Sequence, residues 1–200
     1  DQRFHVLPGE TRYDFSLALF MGLALFHAFS ETLGWAPGVI VSNPNFVKKV
    51  VFPLEALPLA HMGATAFHLL VSLGLVLFGS AFGSAGLSAS VLWLPVLILP
   101  LLLLALGVAW ALAAIGVFIR DIGQITAFLS TALLFASAVM YPPAKIQEAL
   151  HGKPPLVQAG LDLLLHNPLL QLIDVARRVV LWHQPMPFDV LLRLYLLSFA

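Results

Sequence analysis

From Val91 to Ile119 the chain runs without one charged side chain. A helix needs roughly 20 mostly apolar residues to cross about 30 Å of hydrocarbon, so this run exceeds one span and must tilt, kink or project from the bilayer. Pro95 and Pro100 are expected to supply the kink. Ala105, Ala109 and Ala113 recur every fourth residue, a spacing that lets helices pack closely in lipid. Composition agrees with a membrane chain: 60% of residues are hydrophobic and 10% charged, where soluble domains carry about 25% charge.

Other stretches fit the same pattern. Phe15 to Leu33 and Leu59 to Phe82 are long and apolar enough to span, and Ile122 to Tyr141 follows a one-turn interruption at Arg120-Asp121. The spacing therefore predicts spans over 15–33, 59–82, 91–119 and 122–141, the last two as a tight hairpin with the Arg120/Asp121 ion pair at its tip. A further span starts at Phe188 and is cut short at Ala200. Between them, 156–182 reads as two short helices, re-entrant or interfacial, with Asn167 as N-cap and Pro168 as first helical residue of the second. The expected fold class is all-α, a polytopic integral membrane helix bundle. The chain opens on Asp1 and stops inside an apolar run, so a fragment is expected.

Several chemistries lack their residues. There is no GxxxxGK[ST] loop to cradle a nucleotide phosphate and no HExxH, and the FGSAFGS stretch does not meet GxSxG. No cysteine is present, which removes thiolate metal sites and thiol nucleophiles. Formal net charge is zero, so no basic field attracts nucleic acid. No catalytic or metal site is expected. His61 and His68 lie two turns apart on one helical face, either as polar packing or as a metal pair or proton relay, and roughly 10 Å of rise is too far for both to hold one metal unaided. His27 is expected to pack in the same way. Asp174 with Arg177 and Arg178 is either a local helix pair or, through the arginines, a site for an anionic lipid or pyrophosphate head group.

One polar stretch interrupts the apolar pattern. Asn43 to Pro58, NPNFVKKVVFPLEALP, carries two lysines, a glutamate and three prolines between two spans. A polar hinge with helix-forming character at that place is where something outside the bilayer can push. Lys48 and Lys49 serve either as contacts to such a partner or as a topogenic anchor at the membrane surface.

Asn43-Pro44-Asn45, Val47 to Val50, Phe52-Pro53, Glu55 and Pro58 together resemble the cytoplasmic stretch of ABC-2 type permease subunits, in particular polysaccharide and teichoic-acid exporters. Arg120-Asp121 is similar to that family's short turn, Ser137 to Pro142 to its Ser-Pro-Val-x-Tyr-Pro element with Ala138 in place of proline, and Asn167-Pro168 with Arg177 to its NP…R segment. The resemblance implies that the family's N-terminal segment and first span are missing here. It also implies a permease subunit of an ATP-driven exporter of lipid-linked polysaccharide of O-antigen, capsule or teichoic-acid type, placed in the bacterial inner membrane.

In that reading 43–58 is the coupling segment. Asn45, Phe46, Lys48, Lys49, Phe52, Pro53 and Glu55 would meet the ATPase, Arg120 and Asp121 would form a cytoplasmic turn, and Tyr141, Asn167, Arg177 and Arg178 are candidates for head-group or substrate contact. Partners would be two copies of an ABC ATPase, a second permease copy, a lipid-linked glycan and membrane lipids, with no nucleic acid. No cofactor is expected in this chain; ATP and Mg would sit in the ATPase. The resemblance puts Lys48, Lys49 and Arg120 on the cytoplasmic side, whereas the positive-inside rule applied to the remaining cations prefers the inverse. The alternatives are an ABC-2 exporter of drugs or lipids and, outside transport, a membrane scaffold.

Overall fold

A computed structural model describes residues 12–45, 53–83, 86, 88–137, 139 and 165–199. Helix α1 runs Arg12–Trp35 and continues into a 3-10 turn, Ala36–Gly38. Helix α2 covers Ala56–Ser80. A 3-10 turn at Ala89–Trp93 leads into α3, Leu94–Phe118, and α4 covers Ile122–Ala136. Then come α5, Pro168–Ala176, a π turn at Arg177–Leu181, and α6, Phe188–Phe199. No strand occurs among the described residues. The stretches Arg12–Gly38, Ala56–Ser80 and Ala89–Phe118 are each long and apolar enough to cross a membrane.

Helix α1 is the centre of the bundle. Leu17, Ala18, Met21, Leu25, Phe26, Ala28, Phe29 and Leu33 are all buried, and they share a core with Leu69 and Leu73 of α2, Leu97 and Leu101 of α3, and Ile173 and Val179 beyond. Two of its hydroxyls are satisfied locally: that of Ser16 donates to the Arg12 carbonyl and that of Thr32 to Ala28, each one turn back. In lipid this matters, because an unpaired hydroxyl there has no water to turn to. On the outer faces Phe67, Leu75 and Phe78 of α2 and Phe118 and Phe128 of the α3–α4 hairpin are exposed, which costs nothing in hydrocarbon.

Two expectations for the long apolar run need correction. Pro95 does not kink α3; it stands in the first turn, where its missing N–H would have had no partner in any case, and only Pro100 lies inside the helix. The excess length goes into the 3-10 turn before Leu94. At the other end Arg120 and Asp121 are exposed, and no ion pair joins them among the described residues.

Helix α4 ends at Ala136, where the Ser137 N–H closes the last turn on Leu133 and the Asn167 side chain donates to the Ala136 carbonyl at 3.3 Å. Residues 140–164 lie outside the described set, and with them the end of the expected 122–141 span and the first of the two short helices. Helix α6 packs on α3 through the Tyr195 hydroxyl, which donates to the Val96 carbonyl at 2.8 Å, and on the preceding 3-10 turn through Phe188, edge-on to Trp93.

Candidate functional site

The polar connection between α1 and α2 is held from both ends. After Trp35 the chain makes a tight sequence of turns: Ser42 N–H donates to Gly38 O, Asn43 N–H to Ile40 O, and the Asn43 side-chain amide to Val39 O at 2.8 Å. Pro37, the second residue of the Ala36–Gly38 turn, has its φ pre-set for it. Pro44 and Asn45 are helical and exposed. Phe46, Lys48, Lys49 and Phe52 lie outside the described residues. The chain resumes with exposed Pro53 and Glu55, and the Ala56 N–H donates to Pro53 O to start α2.

Both flanks of this connection land on the same helix. A Cβ built on Gly116 of α3 would overlap the carbonyl oxygen of Pro37 and come within 2.8 Å of its carbonyl carbon, so the two backbones touch there. Ala113, three residues earlier, forms a small buried cluster with Val39 from one flank and Leu57 from the other. Trp110, three residues earlier again, donates its indole N–H to the Glu55 carbonyl at 3.1 Å. Ala105, Ala109 and Ala113 are each at most 2% exposed; of the three, Ala113 packs against the flanks of the connection, next to Gly116, while Ala105 joins the main core.

A second polar group joins α1 to its neighbours just before the connection. The Trp35 indole N–H donates to the buried Thr65 hydroxyl at 3.2 Å, and its ring stacks on His61 at a centroid distance of 5.1 Å. His68 Nδ1 lies 3.0 Å from Glu31 Oε1, with the donor set by the histidine tautomer. The two histidines therefore turn toward α1 but engage different residues. The second carboxylate oxygen of Glu31 is buried with no hydrogen-bond partner among the described residues, and Ser30 shares a hydrogen bond with Ser130 of α4. His27, one turn earlier, is exposed and lines a groove of about 610 Å³ with Tyr13, Phe20, Ser72 and Leu75.

The arginine pair divides. Arg177 is 6% exposed; its Nε donates to Ala18 O at 2.7 Å and one Nη to Val139 O at 2.6 Å, so the guanidinium lies between α1 and the segment after α4. Gly22 makes room for it, since a Cβ there would come within 2.8 Å of the guanidinium carbon. Arg178 is exposed and pairs with Asp174 at 2.7 Å. Burial pushes the Asp174 carboxyl above the usual carboxylate range, against the pull of Arg178. Asn167 caps α5 by accepting from the Leu169 N–H at 3.0 Å, with Pro168 at the first helical position. Tyr141 lies outside the described residues.

Trp110, Gly116, Gly22 and the Glu31–His68 pair were not singled out together by the sequence. A Trp inside an apolar run does carry one signal, because its N–H wants a partner when it is not at the interface.

The family model described as ABC-2 type transporter matches residues 3–151 of the chain. The O-antigen export system permease protein RfbA of Myxococcus xanthus is 32% identical over 146 residues, which make up 72% of this chain and 56% of that protein. The chain thus spans little more than half the length of that relative.

Proposed function

The chain belongs to the ABC-2 type transporter family, and from that membership we propose that it is the permease part of an ATP-driven exporter that moves a lipid-linked polysaccharide across the bacterial inner membrane. The substrate class is taken from the O-antigen permease to which it is similar. The mechanism is carried by one observation: the polar connection between two apolar helices is gripped at both flanks by α3.

In this reading 43–58 is the coupling segment, and Asn45, Phe46, Lys48, Lys49, Phe52, Pro53 and Glu55 meet a groove on a separate ATPase subunit. That subunit binds ATP and Mg; the permease supplies no nucleotide site. Closure of two ATPase copies displaces the segment and tilts the attached helices, which opens a path between two permease copies. Arg120 and Asp121 at the α3–α4 turn stand on the same, cytoplasmic side. Tyr141, Asn167, Arg177 and Arg178 belong to the opposite side. There the exposed Arg178 is the cation best placed for an anionic head group, and Arg177 shapes the surface from within.

The test is complementation. In a strain whose own permease gene is deleted, the full-length protein with its ATPase is expected to restore glycan at the cell surface, and Lys48→Glu/Lys49→Glu or Phe52→Asp to abolish it while the protein still reaches the membrane. Surface glycan that is unchanged by these substitutions, or a strain that regains drug efflux and no glycan, would refute this assignment.

A further inference from the structure

The α1–α2 connection is covalently joined to two helices, and the structure gives it a third attachment. We infer that α3 travels with the two flanks of the connection, 37–39 and 55–57, as one unit, so that Trp110, Ala113 and Gly116 are positioning residues that pass a displacement of those flanks into a helix covalently joined to neither of them. This rests on the transport reading above, in which the connection receives the ATPase stroke.

The three contacts recur every third residue, about 4.5 Å apart along the α3 axis, and between them they hold both flanks. Pro37 and Val39 precede the segment; Glu55 and Leu57 follow it. At Gly116 the contact is backbone on backbone, with no rotamer to absorb a shift, and Pro37 has its φ fixed by the ring. Close-packed contacts of this kind move together or break rather than deform. The opposite end of α3 carries its own attachment, where Tyr195 of α6 donates to Val96 O. Val96 lies roughly 21 Å from Trp110 along a straight helix axis. A push at the connection is therefore delivered to α6 on the far side of the bundle.

These 200 residues hold no cysteine, so a Val39→Cys/Ala113→Cys pair reports on this contact once any cysteine elsewhere in the full-length protein is replaced by serine. The full-length permease is assembled with its ATPase in vesicles, and ATP hydrolysis and glycan export are measured side by side. Export at near-normal rate with the Val39–Ala113 cross-link closed is expected, since the two sides do not move apart. In the uncrosslinked complex, Trp110→Phe and Gly116→Ala are expected to lower export about ten-fold or more while ATP hydrolysis stays within about two-fold. A cross-link that blocks export and is relieved by reductant overturns the inference, as do variants in which export is unchanged or falls in step with hydrolysis. If Gly116→Ala fails to assemble, Trp110→Phe and the cross-link still decide. Failure of the unaltered complex to export at all would instead sink the transport reading, and the inference with it.

Discussion

The guanidinium of Arg177 lies 2.7 Å from the backbone carbonyl of Ala18, 159 residues earlier in the chain. A buried cation is tolerated in a membrane protein when backbone carbonyls receive it, and here a second carbonyl, that of Val139, accepts from it at 2.6 Å. Each charge-assisted bond contributes on the order of 1.5–3 kcal/mol. Arg177→Lys keeps the charge but loses the planar fork, and is expected to lower the melting temperature of the detergent-purified protein by several degrees. Arg177→Met should cost more. Gly22→Ala should mimic the loss with the arginine intact, because the added methyl takes the guanidinium's place.

Asp174 offers a pH test on a helix that is not among the spans. Its carboxyl is raised by burial, with Arg178 opposing. A carboxyl whose folded value stands above the unfolded one favours the protonated form in the fold. Its contribution to stability is therefore fully present below the unfolded value, near 3.9, and is lost as pH rises through the folded value. Asp174→Asn is expected to leave stability at pH 7 unchanged or slightly higher. Arg178→Met should destabilise at pH 7 by about 1 kcal/mol and progressively less toward pH 4, because it strands a buried carboxylate only while that carboxylate is ionised. Thermal unfolding of both variants across that range checks the sign.

Glu31 and His68 should behave as a coupled pair. His68→Ala leaves both carboxylate oxygens of Glu31 without a described partner, one of them buried, whereas Glu31→Gln with His68→Ala removes the charge as well. The double variant is expected to be less destabilised than the sum of the singles by about 0.5–1 kcal/mol. Additive losses in a thermal-shift cycle would show that the two do not interact.

Much of the architecture was legible in the residue pattern, because hydrocarbon imposes it: the apolar runs had to be helices, and α1, α2 and α3 lie where length and composition put them. The Asn167-Pro168 start of α5 was legible too, since cap chemistry is local. What escaped the sequence depends on neighbours distant in the chain. Periodicity showed that Ala105, Ala109 and Ala113 share a face, but not that Ala113 meets Val39 or that Gly116 meets Pro37. Arg177 and Arg178 look equivalent in sequence; a one-residue step around the turn sends one into the bundle and the other to Asp174. Pro95 is harmless because it stands in the first turn of α3, which the sequence pattern alone did not reveal; Pro100 is the proline inside the helix.

In the proposed reading a separate ATPase supplies the driving force for export, and vesicles test that most directly. Inverted membrane vesicles containing the full-length permease and its ATPase are loaded on the cytoplasmic face with lipid-linked glycan, and glycan reaching the lumen is measured with and without ATP. The expected result is accumulation that requires ATP and disappears when Lys48 and Lys49 are both replaced by Glu, with the ATPase then no longer co-purifying. Glycan that crosses equally well without ATP, or an ATPase that remains bound and drives export despite the reversed charges, would contradict it.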